Sequence, residues 1–496
     1  AYLLAGVDLL KLNQPARAVP FLLRASKLKP KDREVSLHLG QAFAATGDFT
    51  QGNTWYAAAA AIDARSADAW YGLGLTYLKI AQQSAEALAR GGAGSPYAQA
   101  LLAEALVEQG KMRNSIRLYQ AILESHAGPP CMRTALGFAE LRSGRAADAE
   151  REFRAELESS PRCLGAHFGL ARIFDQKGDT AGAEREAEAA WETDPGFAAS
   201  YAPAEEIRER LDRGRAQRSA APVPQGNPRM LASAGRYTAC AASLGSRSTV
   251  LAPADRQLLA ECAFHSGRFR ASFEAAGKLL APGPLQHAGL YWRARSSQRL
   301  ALESLARAGE IDPDSHKLHL LLGDALRQQN KLKEAQAEYR RAIELKPDGV
   351  AGHLGLARTL FVGIAFDEAV VELNKALSLV PGEPEASALM GYILVYKHQF
   401  EEARPYLKAA LRGAPAELPH VHAALGKVYA SEDRTGEAIA ELRQALPADD
   451  DGSYHARFYQ LCRKAGDTAG AASALREWKL IRQRRAEQAR VEPETE

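Results

Sequence analysis

The chain has 496 residues, of which 46% are hydrophobic and 25% charged, and its formal net charge is +3. So near-neutral a balance argues against the strongly basic face of a nucleic-acid binder, and no apolar run approaches the roughly 18 residues that a transmembrane helix needs. An Ala- and Leu-rich composition with few Val or Ile runs reads as helix nearly throughout.

The chain opens at Ala1, without a methionine or a signal-peptide pattern and with a helix already under way, which points to an upstream segment. A first helix pair ends at Pro30 and carries Gly6, Ala18, Leu22 and Ala25; a second follows through Leu39, Gly40, Gly47, Tyr56 and Ala59. The third opens on Trp70, Leu73, Gly74 and Tyr77, but Lys79 to Arg90 continues as helix until Gly91 to Pro96 breaks it, so the stack is irregular near 79–96. A fourth pair has Tyr119 as its large residue, and a fifth and sixth end at Pro161 and Pro195. From Arg213 to Pro228 the chain is rich in Ala, Pro, Gly and Arg; three prolines within it exclude regular helix, which makes it a linker or loop. Weaker helices run from Ala232 to Leu280.

Between Leu285 and Pro415 the pattern becomes regular. Pro313, Pro347, Pro381 and Pro415 stand at equal intervals; five before each is Ala308, Ala342, Ala376 or Ala410, and eight before is Leu305, Tyr339, Leu373 or Leu407. Twenty-four before each is a small residue: Gly289, Gly323, Ala357 or Gly391. A self-similar period of this length marks stacked helix–turn–helix units. The small residue lets two backbones approach and the large one fills the space opposite, while the proline cannot continue the second helix and forces the turn. Two further units follow, and Lys479 to Glu496 forms a charged capping helix and tail that covers the last apolar face.

This arrangement of small and large anchors resembles the tetratricopeptide repeat (TPR) of bacterial multi-repeat proteins. The resemblance implies an all-α solenoid of stacked repeats forming a right-handed superhelix: about six repeats in residues 1–212, a linker at 213–228, about seven repeats in 229–478, and the cap at 479–496. It also implies that the first helix of each repeat lines a concave face that contacts a protein or peptide. On that face, just after each small anchor and three or four residues further on, lie Arg327, Arg358, Phe361, Tyr392, Tyr396 and Lys427, an aromatic and basic strip. Aromatics and arginine concentrate binding energy at interfaces. The Lys/Asn arrangement with which some chaperone-binding members clamp a terminal carboxylate is not reproduced.

Nothing in the sequence carries catalysis. Patterns such as GxSxG, HExxH, GxxxxGK and GxGxxG are missing, so the expected function is a non-enzymatic interaction scaffold without a cofactor. The alternative is a self-assembling structural protein, because a solenoid end is an apolar face seeking a mate and Leu3 and Leu4 begin the chain without a polar cap. Of five cysteines none forms a CxxC pair, so no metal site is expected. Cys240 and Cys262 fall on adjacent helices and would form a disulfide in an exported protein; buried free thiols are the preferred reading. A leader cleaved on export favours a periplasmic or extracellular location over a cytoplasmic one. His167, His319, His353, His422 and His455 recur at one position of the repeat, with Ser387 in their place once. Stacked repeats lie roughly 10 Å apart, too far for neighbouring rungs to share an ion, so the histidines are read as packing residues.

Overall fold

A computed structural model describes residues 1–92, 94–125, 128–193, 226–246, 251–413 and 418–491. Among them every regular element is helical, and no strand occurs. By contacts the chain forms two compact units, Ala1–Ile311 and Asp312–Glu496. The expected linker at 213–228 lies, through residue 225, outside the described residues.

Unit 1 begins with α1 (Tyr2–Lys11), α2 (Pro15–Leu28), α3 (Arg33–Ala45), α4 (Phe49–Ile62) and the long α5 (Ala67–Gly92). It continues with α6 (Pro96–Glu108), α7 (Met112–Glu124), α8 (Met132–Arg142), α9 (Ala146–Ser159), α10 (Leu164–Gln176) and α11 (Thr180–Thr193). Then come α12 (Pro228–Ser233), α13 (Tyr237–Gly245), α14 (Pro253–His265), α15 (Phe269–Gly277) and a second long helix, α16 (Gln286–Ile311). Unit 2 is built from α17 (His316–Gln328), α18 (Leu332–Leu345), α19 (Val350–Val362), α20 (Phe366–Leu379) and α21 (Pro384–Tyr396). It ends with α22 (Phe400–Ala410), α23 (Leu418–Ser431), α24 (Thr435–Ala445), α25 (Ser453–Ala465) and α26 (Thr468–Val491).

The turn between the two helices of a pair is made by one residue in the left-handed region. Gly47, Gly110, Gly144, Gly178, Gly267 and Gly466 hold it at little cost, and Asn13, Asn330 and Asp433 tolerate it. Ile364 (φ 62°) and His398 (φ 61°) hold it under strain. The equivalent positions in α5 and α16 are Ala81 and Ser296, and both helices run straight through for 26 residues instead of turning.

This changes the topology of unit 1. The regular period places Gly289 opposite Leu305 as one hairpin, but the two lie on one continuous helix. Gly74 of α5 packs against Leu305 (a Cβ there would lie 2.5 Å from Leu305 Cγ), and Gly92 packs against His287 at the other end. The helices α5 and α16 are therefore antiparallel partners along their length. Gly289 faces Leu279, just after α15. Cross-links fix the arrangement: Tyr97 lies 5.6 Å from Tyr291 between ring centroids, Tyr291 donates to Glu104 at 2.9 Å, and Arg295 pairs with Glu104 at 3.2 Å. The chain thus leaves the stack after α5 and returns to it in α16.

Elsewhere the small–large match works as expected, and more symmetrically. Tyr56, Phe153 and Tyr339 each press on a glycine of the preceding helix (Gly40, Gly137, Gly323) and on another of the following helix (Gly72, Gly169, Gly355). An aromatic ring wedged between two helices needs room on both faces. At the C-terminus the expected cap is not a separate helix, because α26 runs unbroken from Thr468 to Val491, with Trp478 and Ile481 against Gly452.

Candidate functional site

The first helices of the pairs in unit 2 carry all six residues of the expected strip, and the structure sorts them into three groups. Arg327 and Arg358 belong to a charge-balanced node. Asp324 accepts a hydrogen bond from the Tyr339 hydroxyl at 2.6 Å and lies 3.7 Å from Arg327 and 3.8 Å from Arg358. Arg358 donates from Nε to Glu385 at 2.7 Å and from a second guanidinium nitrogen to the same carboxylate. Burial works against the Arg358 charge, but Glu385 and Asp324 more than offset it and raise its pKa. These arginines tie α17, α19 and α21 together.

Phe361, Tyr392 and Tyr396 form a cluster with Phe366, which sequence reasoning missed because it lies at the start of a second helix. Ring centroids are separated by 5.6 Å (Phe361–Phe366), 6.4 Å (Phe361–Tyr392) and 4.7 Å (Phe366–Tyr396). Its rim is open: Tyr396 is 63% exposed, Ile364 69% and Val362 50%. Lys427 stands apart. Burial and the neighbouring Arg457 depress its pKa, and among the described residues neither Lys427 nor Arg457 forms an ion pair with a carboxylate. The site is thus a half-open aromatic cluster near one end of a neutral node, with two uncompensated cations on later helices.

The recurring histidines have a partner that the spacing rule did not supply. In four pairs Nδ1 meets a glutamate on the second helix of the same pair, always at the same sequence offset: His167–Glu186 at 2.7 Å, and His319–Glu338, His353–Glu372 and His422–Glu441 each at 2.6 Å. Where Ser387 replaces histidine, residue 406 is Tyr, and where Arg133 does, it pairs with Glu152 at 3.0 Å. His455 turns to Asp449 at 2.6 Å, residue 474 being Ala. The histidines are therefore intra-repeat clasps. These matches were legible in the sequence once helix pairing was assumed.

His167 also faces the Pro161 carbonyl through Nε2 at 3.2 Å, so both ring nitrogens meet acceptors and a doubly protonated ring satisfies them. Burial opposes this charge, yet the hydrogen bonds donated to Glu186 and to the Pro161 carbonyl outweigh it and raise the pKa above 6.5. A raised folded-state pKa stabilises fully below the unfolded value and loses that contribution as pH rises through the folded one. Burial likewise acts to raise the Glu372 pKa, but hydrogen bonds from His353 and Lys375 bring it below 4.5, so its contribution is present above 4.5 and lost as pH falls through the lowered value. The melting-temperature gap between wild type and His167→Gln should therefore be widest in mildly acidic buffer and shrink as pH is raised past about 6.5. A gap independent of pH would show that the clasp is uncharged.

Cys240 and Cys262 are joined in a disulfide with Cα atoms 6.0 Å apart, which corrects the preferred reading of free thiols. The consecutive helices α13 and α14 bring both to zero exposure, facing each other. Among the described residues no helix is long and apolar enough to cross a membrane.

Comparison with known proteins agrees with the geometry. The family pattern described as tetratricopeptide repeat matches residues 3–67, 134–199 and 389–453, and a second, described as TPR repeat, matches 323–361. A search of the curated proteins finds no match. Among solved structures, MamA (41-end) from Desulfovibrio magneticus RS-1 aligns at 20% identity and TM-score 0.31 over 34% of this chain and 96% of its own. YrrB, described as a TPR protein with an unusual peptide-binding site, aligns at 20% identity and TM-score 0.31 over 36% and 91%. The Cut9–Hcn1 hetero-tetramer of the APC/C aligns at 14% identity and TM-score 0.34 over 97% and 93%.

Proposed function

We infer, the chain being a member of the tetratricopeptide-repeat family, that it is a non-enzymatic scaffold holding a protein or peptide on the first-helix face of unit 2. The observation that supports this most is the pairing of an exposed aromatic rim with uncompensated charge. Tyr396, Val362 and Ile364 are half or more exposed around the half-buried rings of Phe361, Phe366 and Tyr392, while Lys427 and Arg457 have no carboxylate partner among the described residues. Scattered exposed apolar residues need no explanation, but a cluster followed, on later first helices, by cations without a carboxylate partner among the described residues fits an extended partner. The occupant that matches is an extended segment with an apolar side chain for the aromatic rim and carboxylates for Lys427 and Arg457. Arg327 and Arg358, already neutralised by Asp324 and Glu385, position the helices and do not contact the ligand.

Selection of binders from a displayed peptide library, followed by fluorescence anisotropy with variants, tests the reading. Selected peptides should be acidic with an apolar anchor, and Tyr396→Ala and Lys427→Glu should each weaken binding about tenfold or more. Peptides that bind both variants as well as wild type would place the partner elsewhere. Light scattering on the same samples separates the alternative, since a structural self-assembling protein grows with concentration in the absence of any peptide. The Cys240–Cys262 disulfide supports a periplasmic or extracellular setting, because such bonds persist in oxidising compartments.

A further inference from the structure

Three chemistry-bearing side chains that the scaffold does not use converge in unit 1. Cys131 and Cys163 are the residues at which α8 and α10 begin, and their sulfurs lie 3.6 Å apart. Glu156, from the last turn of α9, joins them so that all three donor atoms fall within 4.8 Å of one another. Cys131 reaches this place with φ at 61°, a left-handed conformation that non-glycine residues seldom adopt. Thr134 Oγ1 is 3.3 Å from Cys163 Sγ, and the Tyr237 hydroxyl is 3.9 Å from Cys131 Sγ. Cys163 and Glu156 are only 3% and 6% exposed, whereas Cys131 is partly open to solvent and provides an entry.

A buried carboxyl needs a counter-charge, and among the described residues Glu156 forms no ion pair; Arg133 is engaged by Glu152 at 3.0 Å. Glu156 accepts a long hydrogen bond from the Thr134 backbone at 3.3 Å, with the Arg133 backbone and the Ser160 side chain as further hydrogen-bond partners. Two sulfurs bound to one tetrahedral ion at about 2.3 Å stand about 3.8 Å apart, whereas a disulfide brings them to about 2.05 Å. The observed 3.6 Å is that of a thiol donating to its neighbour, and it needs almost no movement to reach the first arrangement.

We propose that Cys131, Glu156 and Cys163 form a metal site for a thiophilic divalent ion of the zinc class, clamping the start of α8, the end of α9 and the start of α10. The Tyr237 hydroxyl or a water is placed to complete four-coordination. Two thiolates with one carboxylate select zinc or cadmium over magnesium and calcium, which prefer all-oxygen shells. Binding releases the two thiol protons, and the carboxyl proton where present, to solvent, while the ion supplies a positive charge in direct contact with the carboxylate. The pattern escapes any search for CxxC because its cysteines come from successive repeats, 32 residues apart.

The test is zinc titration of the folded full chain, first stripped with a chelator, against a chromophoric competitor. One equivalent of Zn2+ should bind, Cd2+ should displace it with a thiolate-to-metal absorption band, and Mg2+ and Ca2+ should have no effect. Cys131→Ser and Cys163→Ser should each abolish the band, and Glu156→Gln should weaken zinc binding about tenfold or more. Cys462→Ser, in unit 2, should change nothing. Zinc should also raise the thermal midpoint of wild type but not of the double serine variant. Circular dichroism keeps unfolding distinct from loss of the site. Absence of zinc uptake by folded wild type, or uptake that survives both serine substitutions, overturns the proposal. So does a thiol count on the stripped protein that finds Cys462 alone, since Cys131 and Cys163 would then be joined to each other.

Discussion

Tyr339→Ala is expected to destabilise unit 2 by about 3–5 kcal/mol, the range for deleting a fully buried aromatic side chain. Tyr339 is 1% exposed and lies between Gly323 of α17 and Gly355 of α19, each closer to the ring than a Cβ would permit. A cavity left there has glycine on both walls, so no side chain is available to relax into it. Tyr339→Phe separates the two contributions. It keeps the ring and removes only the hydroxyl that donates to Asp324 at 2.6 Å, which should cost about 1 kcal/mol. Burial, with Asp324 adding to it, raises the Tyr339 pKa to about 12, so the hydroxyl stays protonated throughout ordinary titrations. Urea denaturation of the two variants gives both numbers. An alanine variant within about 1 kcal/mol of wild type would mean that the glycine faces close on each other, contrary to the wedge described here.

Trp292→Ala is expected to cost a similar amount, about 3–5 kcal/mol, and to do so across unit 1. Trp292 is 1% exposed on α16, and it shares one core with Leu88 of α5 and with Phe264, at 5.3 Å between ring centroids. Because α16 is the antiparallel partner of α5, hydrogen exchange should show residues 67–92 losing protection together with 286–311. A plain linear stack would leave α5 protected, since it is far away in sequence. Trp292→Phe should be mild. The indole Nε1 is buried without a hydrogen-bond partner, so replacing it with carbon relieves an unsatisfied donor even as some volume is lost.

These two residues show where sequence reading succeeds and where it stops. Gly323 and Gly355, at equal distances either side of Tyr339, are visible in the sequence, as are the evenly offset histidine–glutamate pairs, because both lie within the span of neighbouring helices. The absence of Gly, Asn or Asp at Ala81 and Ser296 is also visible, but it does not by itself mark the helices that run on, since Ile364 and His398 occupy the same position and turn. What the sequence does not show is that these helices partner each other. Nor does it show that Asp324 and Glu385 neutralise Arg327 and Arg358, since a charge on a helix face is silent about the side chains opposite.

By itself the sequence determined the all-helical repeat, its regular period, its packing anchors and the membership of the family, because each repeat encodes its own amphipathic helices and turns locally. Only the tertiary structure decided that Gly74 meets Leu305, that Cys240 is bonded to Cys262, and that Cys131, Glu156 and Cys163 share one pocket. The physical reason is that a small residue facing a large one makes much the same fit in every repeat. The local pattern therefore states that a helix must be covered, and the competition among all the helices for burial chooses which one covers it.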